Sequence, residues 1–232
     1  ITELADRMVK SGGPALFFEN VEGSTVPVVI GLFGTHQRVA WALGVDNVET
    51  ITDRVRKLLG IAQGPPPGLI GKLRTAGDLI GLARSQPKIV GSGPCQEVVL
   101  EGEGVDLDLL PSLKCWPEDG GRFITLPLVI SRDPDNGTRN VGIYRMQVYD
   151  KRTTGMHWQT HKVGAHHLRV RKSAGLDRME VAVAIGGDPA TMWSGSMPLP
   201  PGIDEIAVAG VIREEAVELV RYKTVDLEVP AQ

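Results

Sequence analysis

At 232 residues, with 42% hydrophobic and 23% charged residues, the chain has the make-up of an ordinary globular protein, which excludes the disordered and fibrous classes. A net charge of -3 provides no global field to gather nucleic-acid phosphates, so no nucleic-acid partner is expected. The longest apolar runs, PVVIGLF from Pro27 and ITLPLVI from Ile124, fall far short of the roughly 20 residues that cross a bilayer, so no membrane span is expected.

The chain opens at Ile1 directly into a helical pattern, without an initiator Met or a signal-peptide succession, and is expected to be an internal fragment. Ile1, Leu4, Met8 and Val9 fall at helical spacing and Gly12-Gly13 supplies the stop. The runs ALFFEN (15–20) and PVVIGLF (27–33), separated by the turn-prone VEGST, read as a hairpin-like pair of strands. Helices follow at about 35–43 and 47–59. Gly60 is placed to close the second in a left-handed conformation. GPPPG, Gly64–Gly68, cannot continue a helix and marks a linker.

A further helical stretch runs to about Arg84, and β-branched alternation begins with QEVVLEG from Gln96. ITLPLVISRD and RNVGIYRMQVYD flank PDNG, a strong hairpin signal that sets Asn140 near the start of the second strand. MEVAVAIGG is a strand ending at Asp188-Pro189, where Asp caps a short helix at about 189–194 and Pro suits its first turn. AVELVRYKTVDLEVP alternates as one long strand. Cys95 and Cys115 show no paired spacing, which fits a reducing compartment and a cytoplasmic setting.

Several residues invite chemistry. HWQTH places His157 and His161 on one face of a strand or a helix, but no HExxH and no further ligand pair completes a zinc site. Hydrogen-bonded sheet histidines are the plainer reading, and a zinc-dependent hydrolase using this pair stays as an alternative. Asn140, His161 and Glu205 could furnish the oxygens and imidazole of a divalent site, although spacing does not single them out. Arg145, on an apolar strand pattern with Val141 and Ile143, needs an anionic partner or an exposed strand end.

GSMPLPPG, Gly195–Gly202, is either a rigid surface loop or a segment where backbone approaches a bound group. Asp204-Glu205 opens a helix whose Ile206, Ala209 and Gly210 share a face. No GxGxxG before a helix, GxxxxGK[ST] or GxSxG string is present, which disfavours ordinary nucleotide and serine-hydrolase modules.

The strings GGPALFFENVEG, LFGTHQRVAWALG, CWPEDGGRFITLPLVISRDP, NVGIYRMQVYD, GMHWQTH, GGDPAT, GSMPLPPG and DLEVPA, in this order, resemble the UbiD family of prenylated-FMN-dependent decarboxylases. The resemblance implies reversible, non-oxidative decarboxylation of an aromatic or α,β-unsaturated acid, with prenylated FMN, a divalent metal (Mn2+ or Mg2+) and K+. It implies Asn140, His161 and Glu205 as metal ligands and Arg145 as catalytic, with Asn140, Ser196 and Met197 against the cofactor. The family's two active-site glutamates, a C-terminal Lys and the oligomerisation domain are expected beyond Gln232. A homo-oligomeric parent and a partner flavin prenyltransferase are also implied.

The fold expected is α+β. A small N-terminal α/β domain over 1–90, with its Pro-rich linker near 64–68, precedes a partial flavin-reductase-like split β-barrel over 91–232. The fragment would supply the metal and phosphate part of the site. The alternative is a catalytically inactive flavin- or metal-binding truncation product.

Overall fold

The computed structural model describes residues 1–62 and 80–232. Helix α1 (Thr2–Lys10) opens the chain and ends before Gly12, which takes a left-handed φ of 65°. Strands β1 (Leu16–Phe18) and β2 (Val28–Ile30) pair antiparallel with Leu16 opposite Ile30, the pair that the two apolar runs predict. Thr35 caps helix α2 (His36–Ala42) by accepting the Arg38 N–H.

Helix α3 runs Val48–Ala62, so Gly60 lies inside it and does not close it. An interior glycine costs about 0.5–1 kcal/mol relative to alanine. Ile51, with Val48, Val55 and Leu58, packs into one apolar cluster, and this burial carries the helix past the glycine. The linker expected at Gly64–Gly68 lies outside the described residues, and helix is again present at 80–84.

The expected strand from Gln96 does not form. Pro94–Gln96 and Gly102–Gly104 are 3-10 turns around an irregular stretch in which Val98 is 77% exposed. β-branched residues favour strands where a partner and a buried face receive them. Among the described residues no strand pairs with 97–101.

Strand β3 (Lys88–Ile89) is followed by β4 (Arg122–Ile124), β5 (Pro127–Arg132), β6 (Arg139–Ile143), β7 (Met146–Val148), β8 (Thr154–Met156) and β9 (Ala182–Ile185). The last six form two three-stranded antiparallel sheets, ordered β4-β7-β8 and β6-β5-β9. The β5–β6 hairpin closes at the predicted turn: Gly137 takes φ 74°, and the Asp133 N–H donates to the Thr138 carbonyl at 2.8 Å.

RNVGIYRMQVYD is not one strand. It bends at Tyr144-Arg145 because its first half belongs to one sheet and its second half to the other, a corner that a straight strand cannot turn.

Helix α4 (Val163–Ser173) packs on β5 and β6, and α5 (Pro189–Ser196) starts at Asp188, whose carboxylate accepts the Thr191 N–H at 3.0 Å as the Asp-Pro signal predicts. Helix α6 (Glu205–Arg213) follows. Strands β10 (Glu218–Arg221) and β11 (Glu228–Pro230) form an antiparallel hairpin, with β3 parallel to β10. The single strand expected over 216–230 therefore folds back at 222–227. That reversal puts Leu219, Val220, Leu227 and Val229 into one core. The described residues form a mixed α/β fold with four small sheets. Among the described residues none closes into a barrel, so the expected split barrel appears only as open sheets.

Helix α6 is apolar all round and is buried accordingly. Ile206 and Ala209 pack with Leu128, Ile130 and Val141 of the β6-β5-β9 sheet, and Val208 and Ile212 pack with Val39, Leu43 and Ile51 of α2 and α3. Arg54 of α3 also donates to the Ile212 carbonyl. Gly210 lets the helix approach the 80–85 segment, since a Cβ there would sit 2.0 Å from the Ser85 carbonyl oxygen. On the opposite face of the sheet His167 of α4 is buried, with Nδ1 3.0 Å from Ser131 Oγ.

Gly210→Ala is expected to destabilise by about 1–3 kcal/mol through overpacking. Helix propensity alone would stabilise this change by about 1 kcal/mol, so the direction of the urea-midpoint shift decides between the two. Burial pushes the His167 pKa down, with Asp133 opposing. The unfolded imidazole takes up its proton near pH 6.5 and the folded one resists, so this contribution is complete above about pH 6.5 and is lost as pH falls through the lowered folded value. Urea midpoints of His167→Gln are expected to fall less steeply below about pH 6.5 than those of the parent.

Candidate functional site

β6 is an edge strand, paired only with β5 among the described residues, and the N-terminus of α6 abuts that edge. Asp204 caps α6: Oδ1 accepts the Ile206 N–H at 2.8 Å. This start turns Glu205, the first helical residue, toward β6, where Oε2 accepts the Val141 N–H at 3.1 Å. Asn140, one residue before Val141, pairs across the hairpin with Ser131 and is buried. Its Nδ2 has no hydrogen-bond partner. The structure thus brings the Glu205 carboxylate to the backbone of the residue that follows Asn140, while the Asn140 side chain lies on the Ser131 face of the sheet.

Burial pushes the Glu205 carboxyl above its ordinary value, although its own backbone N–H, the Val141 N–H and Arg139 favour the ionised form. A half-buried carboxylate on the backbone next to a buried amide with an unused N–H donor suits a cation with an anionic ligand. The cation offsets the carboxylate's desolvation, the amide oxygen can join its shell, and Nδ2 remains free to donate. The residues present fit a divalent metal.

His161 lies in the exposed turn at 160–162 that precedes α4, and its side chain makes no hydrogen bond or ion pair with the described residues. No direct contact joins it to Asn140 or Glu205. His157 is exposed, held only through its backbone N–H to the Arg145 carbonyl at 3.1 Å. Among the described residues no three His, Cys, Asp or Glu side chains gather to hold a metal, so the His157–His161 pair lacks the further ligands that a zinc site needs.

Arg145 stands at the corner between the two sheets, which answers the question of an Arg on an apolar strand face: the alternation ends before it. Its guanidinium carbon lies 3.8 Å from the centre of the Phe123 ring, and Nη2 is 3.3 Å from Asp119 Oδ1. The side chain remains 41% exposed, stacked on one face and open on the rest. A planar cation so held can receive a carboxylate through its unused N–H groups.

Ser196 ends α5, and its hydroxyl donates to the Trp193 carbonyl at 2.7 Å. Met197 packs beside Val39, Leu43 and Trp193 on the wall of an apolar cavity of about 520 Å³. Neither residue touches Asn140 or Glu205 directly.

Three residues of this neighbourhood carried no readable signal beforehand. Asp119, Arg139 and Glu228 act as charge partners across the fold, and only folding brings them to Arg145, Asp204 and Arg132.

The profile described as "3-octaprenyl-4-hydroxybenzoate carboxy-lyase Rift-related domain" (UbiD) matches residues 88–232, and its N-terminal domain companion matches 1–58. An uncharacterized protein of Archaeoglobus fulgidus is 48% identical over 231 residues, covering 100% of this chain and 47% of its own length. One of Aquifex aeolicus is 46% identical over 233 residues, with the same two shares. The chain spans about half the length of the curated relatives it matches.

Among solved structures, the UbiD-class enzyme HmfF from Pelotomaculum thermopropionicum in complex with FMN superposes with a TM-score of 0.78 at 32% identity. That match covers 99% of this chain and 47% of HmfF. An evolved dimeric form of HmfF in complex with prFMN is similar at the same TM-score and identity. Through both profiles, which between them match most of its length, the chain belongs to the UbiD family.

Proposed function

We propose that the protein containing this chain is a carboxy-lyase that reversibly removes carbon dioxide from an aromatic or α,β-unsaturated carboxylic acid, with prenylated FMN as cofactor. The observation that supports the reading is the Glu205 carboxylate on the Val141 amide, next in sequence to the buried Asn140, in a chain similar to a UbiD-class enzyme that has been solved with prFMN. Asn140 through its amide oxygen, His161 through its imidazole and Glu205 through its carboxylate would hold Mn2+ or Mg2+, with K+ nearby. His161 would reach this site from its exposed turn.

The metal would supply positive charge that offsets Glu205 near an anionic cofactor phosphate, groups that repel one another without it. Ser196 and Met197 would lie along the cofactor. When bound, prenylated FMN would supply an electron sink for the decarboxylation. Arg145 would orient the substrate carboxylate through its exposed N–H groups, with Phe123 and Asp119 holding its plane. The bond between the substrate carbon and its carboxylate breaks, carbon dioxide leaves, and the carbon takes a proton in its place.

We further propose two domains, 1–90 and 91–232, the second a partial split barrel. The proposed setting is a cytoplasmic homo-oligomer served by a flavin prenyltransferase. The glutamates expected to deliver the proton lie outside this chain, whose share of its relatives' length favours a second reading for the chain alone: it binds metal and flavin without turnover.

In the full-length protein loaded with prenylated FMN and Mn2+, carbon dioxide release is expected from acids of one of these two classes. Glu205→Gln is expected to lower bound Mn2+ well below one per chain, measured by elemental analysis. Arg145→Lys is expected to retain the metal and lose about 100-fold or more in kcat. Absence of release from both classes would sink the decarboxylase reading, and full Mn2+ binding by Glu205→Gln would sink the ligand assignment.

A further inference from the structure

Each of the two ligands proposed at the β6 edge is immediately preceded in sequence by a charged residue. Arg139 precedes Asn140 and Asp204 precedes Glu205. The two charges face each other: Arg139 Nη2 lies 2.5 Å from Asp204 Oδ2. The Arg139 side chain is 14% exposed and that of Asp204 is 33% exposed. Behind them Glu228 of β11, 15% exposed, lies 3.7 Å from Arg139 Nη1 and 2.5 Å from Arg132 Nη2. Two arginines and two carboxylates thus form a neutral cluster that ties β5, β6, β11 and the start of α6 together.

Asp204 uses both carboxylate oxygens at once. Oδ1 caps α6 at Ile206, and Oδ2 receives Arg139. The residue that sets where the helix begins is therefore the residue that fastens that beginning to β6.

A pair that joins a largely buried Arg to a one-third exposed Asp contributes little net stability over apolar packing, and the best-attested use of such pairs is to fix register. Register is what this site demands. A one-residue slip of β6 sends Asn140 to the other face of the sheet, and a one-residue shift of the α6 start rotates Glu205 by roughly 100° about the helix axis. The Arg139–Asp204 bridge is made in the arrangement that puts Glu205 on the Val141 amide, next to Asn140.

We propose that Arg139 and Asp204 are positioning residues for the metal, a clamp that holds its ligands on β6 and α6 in register. The proposal rests on the reading of Asn140 and Glu205 as metal ligands. Neither clamp residue touches the reacting atoms.

The test is titration of the full-length protein with Mn2+ in the presence of FMN, followed by the Mn2+ electron paramagnetic resonance signal. Asp204→Asn keeps a side chain that caps helices as well as Asp and removes the charge. It is expected to need roughly 10- to 100-fold more Mn2+, the usual loss when a group behind a ligand is changed, while its thermal midpoint stays close to the parent's. Arg139→Lys, which keeps the charge and loses the fork, is expected to fall between the two and serves if Asp204→Asn does not fold.

Arg132→Gln breaks the outer pair with Glu228 and leaves the clamp, so its Mn2+ titration is expected to match the parent's. Asp204→Asn and Arg139→Lys both titrating like the parent, or Arg132→Gln losing as much as either, would overturn the proposal. Glu205→Gln separates the two levels. If it binds Mn2+ as the parent does, the ligand reading is wrong. If it alone loses the metal, only the clamp is.

Discussion

Helix α6 is buried against two separate cores, and the site depends on that constraint. Ile206, Val208, Ala209 and Ile212 are each completely buried, the first and third against the β6-β5-β9 sheet and the other two against α2 and α3. A helix wedged between two cores cannot slide or turn without opening a cavity in one and a clash in the other. Glu205, its first residue, inherits that rigidity, and its carboxylate is presented to the Val141 amide at a fixed height on the edge strand. Gly210, pressed on the Ser85 carbonyl, closes the remaining direction.

The chemistry follows from what this packing leaves unsatisfied. Taking a carboxylate and an amide out of water is unfavourable unless something returns the lost solvation. The protein answers part of the demand with the Val141 N–H and leaves Asn140 Nδ2 without a partner. Arg145 shows the complementary situation. Its cation is held by Phe123 and Asp119 at the corner where the chain passes from one sheet to the next, and it keeps enough exposure to meet an anion.

Local chemistry made much of this legible in the sequence. The DNG turn, the Asp188-Pro189 helix start and the Asp204-Glu205 helix start each act within a few residues, so their outcome hardly depends on the rest of the fold. The features that could not be read are those decided at a distance. Val98 and Val99 have the side chains of a strand without a strand to meet, and the alternating run at 216–230 folds back on itself. Gly60 stays helical because Ile51 and its neighbours are buried.

The site shows the same division. Family resemblance named Asn140, Glu205 and Arg145, but nothing in their spacing foretold that Arg139 and Asp204 would meet across 65 residues. His161, also named, sits in an exposed turn without a side-chain partner, so its part in the account rests on the family alone.

The central claim is therefore a metal held at the β6 edge, and the most direct measurement is anomalous scattering from crystals of the full-length protein grown with Mn2+ and FMN. The account requires one manganese peak with Asn140 Oδ1, a His161 ring nitrogen and a Glu205 carboxylate oxygen roughly 2.0–2.6 Å away. A peak elsewhere, or one lacking Asn140 and Glu205 in its shell, would contradict it.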